Sequence, residues 1–403
     1  MPTNADDKGP RAEPSVSQTD LFAAGFNAHG QLDPGRKHDM RAFRVISREA
    51  DVNVLFTGWS TTVLATPSRI WSLGHQSIAS EGDWRASDGS TGDPTSVGKS
   101  LEDCSAFGDH NGLLGLLLTY PDAALYTPTQ LNSSSPVKEE RNDLTSLTTA
   151  SSPTLSHIAL AGNDRIALTF RQAPNGRLCH VVEFETPGKF MSWYRDPSGE
   201  GTYPDRHHML PGRPKQLLAN TATFLLLMEG GEVYSWGDPR QQSLGRGITG
   251  EGAVPAAEPG VIEALGGLNI VKVASGGWLS AALSQDGALY LWGAMTPGSE
   301  RSIRCLREAG AGEVALVEIL GEDSKPLDVL DVAVGDNHVV ALTSNHRVWV
   351  VGANKNGQLG LNTDTEFLED WTECEALRDV QRVVCGPKTT FAFASAQQTG
   401  QAG

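Results

Sequence analysis

The sequence predicts an all-β protein, a seven-bladed β-propeller in which an N-terminal strand completes the C-terminal blade. Three observations carry this. One short phrase recurs seven times at a nearly even period, and helical periodicity is almost absent. The chain also begins with a strand that has no repeat of its own, while its last repeat lacks a strand.

A full copy of the phrase has an apolar run, a pivot residue, two or three polar residues, a second apolar run and an aromatic-bearing strand. The pivots are Gly58, Gly108, Gly162, Asn220, Gly276, Gly335 and Gly386, separated by 50, 54, 58, 56, 59 and 51 residues. Clear copies are LFTGWSTTVLATPSRIWSLG (55–74), LLANTATFLLLMEGGEVYSWG (217–237), KVASGGWLSAALSQDGALYLWG (272–293) and DVAVGDNHVVALTSNHRVWVVGANKNGQLG (331–360). Weaker copies surround Gly108 and Gly162. Turn signals such as Glu229-Gly230-Gly231 and Gln285-Asp286-Gly287 link strands of about five residues.

The final copy, RVVCGPKTTFAFAS, stops after its second strand, whereas LFAAGFNAHGQL (21–32) matches VWVVGANKNGQLG (348–360) almost position by position. Joining the two completes a seventh blade and protects the edges that an open array would expose. At the pivots, glycine is expected to supply a positive φ where the innermost strand turns near the axis. The glycines of Trp236-Gly237 and Trp292-Gly293 are expected to end third strands at a bulge or turn.

Composition narrows the function classes. The chain has 403 residues and a formal charge of −16, which disfavours contact with phosphate backbones, so no direct nucleic-acid binding is expected. Its five cysteines are widely spaced with no C-x-x-C, which argues against a disulfide framework or a zinc cluster. The N-terminus has no apolar signal core, and no apolar run approaches the ~20 residues of a membrane span. A soluble monomer in the cytoplasm, the nucleus or both is expected, with no membrane contact. P-loop, H-E-x-x-H and G-x-S-x-G motifs are absent, so no catalytic residue, cofactor or metal is assigned. His207 and His208 are adjacent, so their side chains diverge, and no third ligand accompanies them.

Residues 1–20 and 396–403 read as disordered tails and 21–395 as the propeller. Four stretches read as insertions: 76–100, 128–153, 187–214 and 248–268. The second is rich in Ser, Thr and Pro and reads as disordered. The third carries Phe190, Met191, Trp193, Tyr194 and Tyr203 among Arg195, Arg206 and Arg213, with a net charge of +1. Trp, Tyr and Arg are the usual interface anchors. These side chains either meet a partner or fold back on the propeller wall. A second candidate face is formed by the turns after the pivots, which present Trp59, His110, Asp164, Trp278, Asn337 and Lys388.

The repeats resemble the regulator-of-chromosome-condensation repeat family. The likeness lies in Gly335-Asp336-Asn337-His338, in the aromatic-Trp-Gly strands, and in Gly357-Gln358-Leu359-Gly360, and it spans roughly 21–395. Only His338 fills the motif histidine; Thr61, Asn111, Arg165, Thr223, Leu279 and Thr389 stand at the other steps. The string Gly58-Trp59-Ser60-Thr61-Thr62-Val63 is similar to the alpha-tubulin-suppressor branch, and the orphan N-terminal strand to short single-propeller members. That resemblance implies a non-enzymatic scaffold or adaptor, tied to tRNA or diphthamide modification through a small metalloprotein, or to microtubule or chromatin regulation. The founding members imply the alternative, guanine-nucleotide exchange on a small Ran-like GTPase. Those members carry a basic tail, whereas in residues 1–20 here Asp6, Asp7, Glu13 and Asp20 outnumber Lys8 and Arg11.

Overall fold

The computed structural model describes residues 19–67, 69–76, 79–81, 104–109, 112–119, 124–130, 142–147, 152–170, 177–310 and 312–395. They form seven four-stranded antiparallel sheets. The innermost strands are Asn53–Thr57, Cys104–Asp109, Leu155–Leu160, Pro214–Ala219, Ile270–Gly276, Val329–Val334 and Val380–Gly386. Each lies against the innermost strand of the next blade, and the last lies against the first, so the ring is closed.

The hydrophobic core is divided to match. Seven apolar clusters each join one pair of neighbouring blades. Second strands such as Thr223–Met228, Leu279–Ser284 and His338–Thr343 are buried at every position. Both of their faces meet another blade, which is why they read as continuous apolar runs rather than alternating ones.

The seventh blade joins the chain ends. Thr19–Gly25 pairs antiparallel with Thr389–Ser395, in register from Thr19 opposite Ser395 to Gly25 opposite Thr389. Leu21 and Ala23 are fully buried with Leu64 of blade one and Phe391. The match between 21–32 and 348–360 extends to atoms. Leu32 N donates to Asn27 Oδ1 at 2.8 Å, and Leu359 N to Asn354 Oδ1 at 3.0 Å. Phe26 N donates to Lys388 O just as Ala353 N donates to Asn337 O.

The pivot glycines serve another purpose than the expected one. None of Gly58, Gly108, Gly162, Gly276, Gly335 and Gly386 has a positive φ. Close approach between blades excludes a side chain instead: a Cβ at Gly276 would press on Val334 O and Gly335 O, and one at Gly386 would overlap Thr57 Oγ1 of blade one. Positive φ falls on the glycines ending third strands, such as Gly352 at +100°. Asn220 replaces a pivot glycine because its Oδ1 accepts from Ala222 N, Thr223 N and Thr223 Oγ1, holding the turn.

The four stretches read as insertions contain outermost strands. Ala79–Glu81, Asn142–Ser146, Arg206–Pro211 and Gly260–Val261 each pair with the third strand of their blade. An edge strand leaves one side unpaired, so it can be short and polar and lacks the apolar signal of its neighbours. The loop within 248–268 is pinned: the Arg246 guanidinium donates to Val254 O, Pro255 O and Glu258 O. Residues 1–18 and 396–403, read as tails, lie outside the described residues.

Candidate interaction face

The pivot turns gather at one mouth of an axial cavity of about 650 Å³, whose lining includes Trp59, Asp109, Asp164, Thr221, Asp336 and Pro387. Innermost strands form its wall, because each blade turns its first strand toward the axis.

Trp59 is 45% exposed at this mouth. Gln31 Nε2, from the N-terminal strand's turn, donates to Trp59 O at 2.9 Å. The Lys388 ammonium stands 4.3 Å from the Trp59 ring centroid and 6.0 Å from that of Phe26. Asp164 is exposed, in the left-handed region at φ +67°. Asn337 is half-buried and tied to blade five, its Oδ1 accepting from Thr296 N at 2.7 Å. Burial pushes the Asp336 carboxyl up to about 6, with the Lys388 charge pulling the other way. Trp278 is only 8% exposed and Arg240 lies over its ring, so it is part of the wall rather than a free anchor. His110 lies outside the described residues.

In the 187–214 stretch Phe190, Trp193 and Tyr194 take the second of the two courses open to them and fold back on the propeller. Pro187–Arg195 is a helix, with proline in its first turn and Thr186 Oγ1 accepting from Lys189 N at 3.3 Å. Phe190 and Tyr194 are fully buried and Trp193 is 8% exposed. They pack on Phe107 and Phe184, with Trp193 5.2 Å from Phe184 between centroids. The three are therefore core residues rather than partner anchors. Their i, i+3, i+4 spacing was the sequence signal for one helical face. Arg206 donates to Ala257 O at 3.1 Å, leaving Arg195, Tyr203 and Arg213 as the exposed members of that set.

His338 is structural. It is fully buried, and its Nε2 lies 3.1 Å from Thr390 Oγ1. Since that hydroxyl donates to Gln358 O at 2.6 Å, it accepts from His338 Nε2–H. His207 stacks on His180 at 5.2 Å, and His208 bonds Glu183. Among the described residues no group of three His, Cys, Asp or Glu side chains is placed to hold a metal ion. None of their helices is long and apolar enough to cross a membrane.

Phe26, His29, His75 and Asp336 also belong to this face and were missed. Apart from Asp336, they come from third-strand turns whose neighbours are set by ring closure, so nothing local in the sequence marked them.

The fold and this face define a closed seven-bladed propeller that displays variable turns around an axial mouth. The model of the Regulator of chromosome condensation (RCC1) repeat matches residues 230–283 and 329–358. Two segments of the chain thus match RCC1 repeats, and its seven-bladed fold resembles that of the propellers built from them. RCC1 domain-containing protein 1 of Mus musculus is 32% identical over 216 residues, 45% of this chain and 56% of that protein. The E3 ubiquitin-protein ligase HERC2 of Homo sapiens is 33% identical over 183 residues, 44% of this chain and 3% of that protein. The chain thus spans little more than half of the first relative and a small part of the second. Among solved structures, Prp20p of Saccharomyces cerevisiae superposes with a TM-score of 0.60 at 16% identity, over 95% of this chain and 93% of that one. Yeast RCC1 (Prp20) in its complex with Kap60 gives 0.63 at 15%, over 99% and 97%.

Proposed function

We propose that the chain is a non-enzymatic interaction scaffold that presents its pivot-turn face to protein partners. Trp59 carries this reading. An indole 45% exposed at the rim of a rigid ring, at a mouth that also carries the exposed Asp164, is the kind of anchor that a partner covers. The buried aromatics of 187–214 leave this face as the better supported surface. Prp20p is described as having binding properties to Gsp1p and histones, and yeast RCC1 (Prp20) as bound by Kap60, which supports searching for protein partners first. A small GTPase and a small metalloprotein are the first to try.

The test is affinity capture with the full chain, a Trp59→Ala/Asp164→Arg variant and a Tyr203→Ala control. Loss of a partner from the pivot-face variant alone supports the reading; loss from the Tyr203 variant alone overturns it. A nucleotide-release assay with a Ran-like GTPase runs alongside. Acceleration by the purified chain would replace the scaffold reading with an exchange factor.

A further inference from the structure

Where the last blade meets the first, five side chains from separate segments make one continuous surface. His75 lies 6.5 Å from His29 between ring centroids, His29 lies 5.9 Å from Phe26, and Lys388 bridges Phe26 and Trp59. His29, His75 and Trp59 are exposed.

Among the described residues the polar groups of its side chains make no hydrogen bond or ion pair, although the Lys388 charge reaches the half-buried Asp336. Cations elsewhere, such as Lys189, Arg304 and Arg307, are held by carboxylates at 3.0 Å or less. Among the described residues no carboxylate lies within ion-pair distance of the Lys388 ammonium, and neither the His29 nor the His75 ring has a hydrogen-bond partner. A cation over an aromatic face keeps its remaining N–H donors directed outward, and an imidazole offers at least one N–H even when neutral. The surface therefore pairs an apolar platform with unfilled donors, in a chain of net charge −16.

We propose that this closure seam binds an acidic peptide segment of a protein partner, with an apolar side chain seated against Trp59 and carboxylates meeting Lys388, His29 and His75. The inference rests on the scaffold reading and names the partner's chemistry. A nucleic acid fits less well. One lysine cannot offset a continuous run of phosphates against the charge of the whole chain. A few carboxylates beside an apolar group match what is displayed.

The experiment is fluorescence anisotropy on the full chain with a short labelled peptide alternating Glu with Leu and Phe. A counterpart carrying Lys for Glu and a thymidine oligonucleotide of the same length serve as competing probes. The expected result is binding of the acidic peptide only, weakened by added salt and reduced about tenfold each by Trp59→Ala and Lys388→Gln. Lys388→Gln keeps a long polar side chain, so it separates loss of charge from loss of fold. Failure of the acidic peptide to bind, equal binding of either competitor, or indifference to both variants overturns the proposal. If the peptide fails while Trp59→Ala/Asp164→Arg still loses its captured partner, the seam inference falls and the scaffold reading stands. If that variant leaves capture unchanged, the scaffold reading of this face falls and the seam inference falls with it.

Discussion

Glu183 offers the sharpest test of how the blades are held together. It lies in the third strand of blade three, Leu178–Phe184, with its side chain 1% exposed. Oε2 accepts from Arg165 Nη2 at 2.6 Å, while Oε1 accepts from His208 Nε2 at 3.2 Å and, across the blade boundary, from the buried Trp236 Nε1 at 3.0 Å. Glu183→Ala would leave a partly buried guanidinium and a buried indole N–H without their acceptor, at a cost of about 3–5 kcal/mol. Glu183→Gln keeps one acceptor oxygen and loses the charge, so it should cost about 1.5–3 kcal/mol. Burial alone would raise this carboxyl's pKa. Hydrogen bonds from His208 and Arg165, with the fields of Arg165 and Arg206, outweigh that and hold it below its ordinary value of 4.5. A depressed folded-state value means that the contribution is present above the unfolded value and disappears as pH falls through the folded one. Urea unfolding of the three proteins near neutral pH and again well below 4.5 tests both points. A cost for Glu183→Ala under about 1 kcal/mol, or a gap between wild type and variants that does not shrink in acid, would refute the reasoning.

Three further outcomes are expected. Gly352→Ala should cost more than about 2 kcal/mol, because φ is +100° and its Cβ would overlap Asn337 O; Gly201→Ala, at φ +79° in open space, should cost clearly less when both are compared by thermal unfolding. Leu21→Ala should destabilise by about 2–5 kcal/mol and speed hydrogen exchange across Thr389–Ser395, its partner strand; unchanged exchange there would mean that the seam is not held by this strand. Burial lowers the His338 pKa to about 4, so it is neutral in the fold, and its contribution is lost as pH falls from 6.5 toward 4. The loss should reach about 3 kcal/mol, and unfolding of His338→Gln as a function of pH should lack that slope.

The repeat was legible because each copy must solve the same problem. A second strand covered on both sides must be apolar throughout, as in Leu279–Ser284, and the strand after it must end on a glycine such as Gly293, at φ +99°. Local constraints of that kind leave local marks. The fourth strands were not legible: Gly260–Val261 is two residues long, and Asn142–Ser146 reads NDLTS. Pairing on one edge alone imposes almost no pattern on sequence.

The sequence by itself determined the number of blades, their order and the use of residues 21–32 to complete the last blade, since these depend on spacing and on matching strings. Only the tertiary structure decided which aromatics face solvent. Phe190, Trp193 and Tyr194 could have met a partner or covered the wall, and they are buried, because the cleft between Phe107 and Phe184 forms only where two neighbouring blades pack. Trp59, Lys388, Phe26, His29 and His75 are neighbours only because the ring closes. Exposure and adjacency across a seam depend on where distant segments pack, and composition and periodicity along one segment carry no record of that.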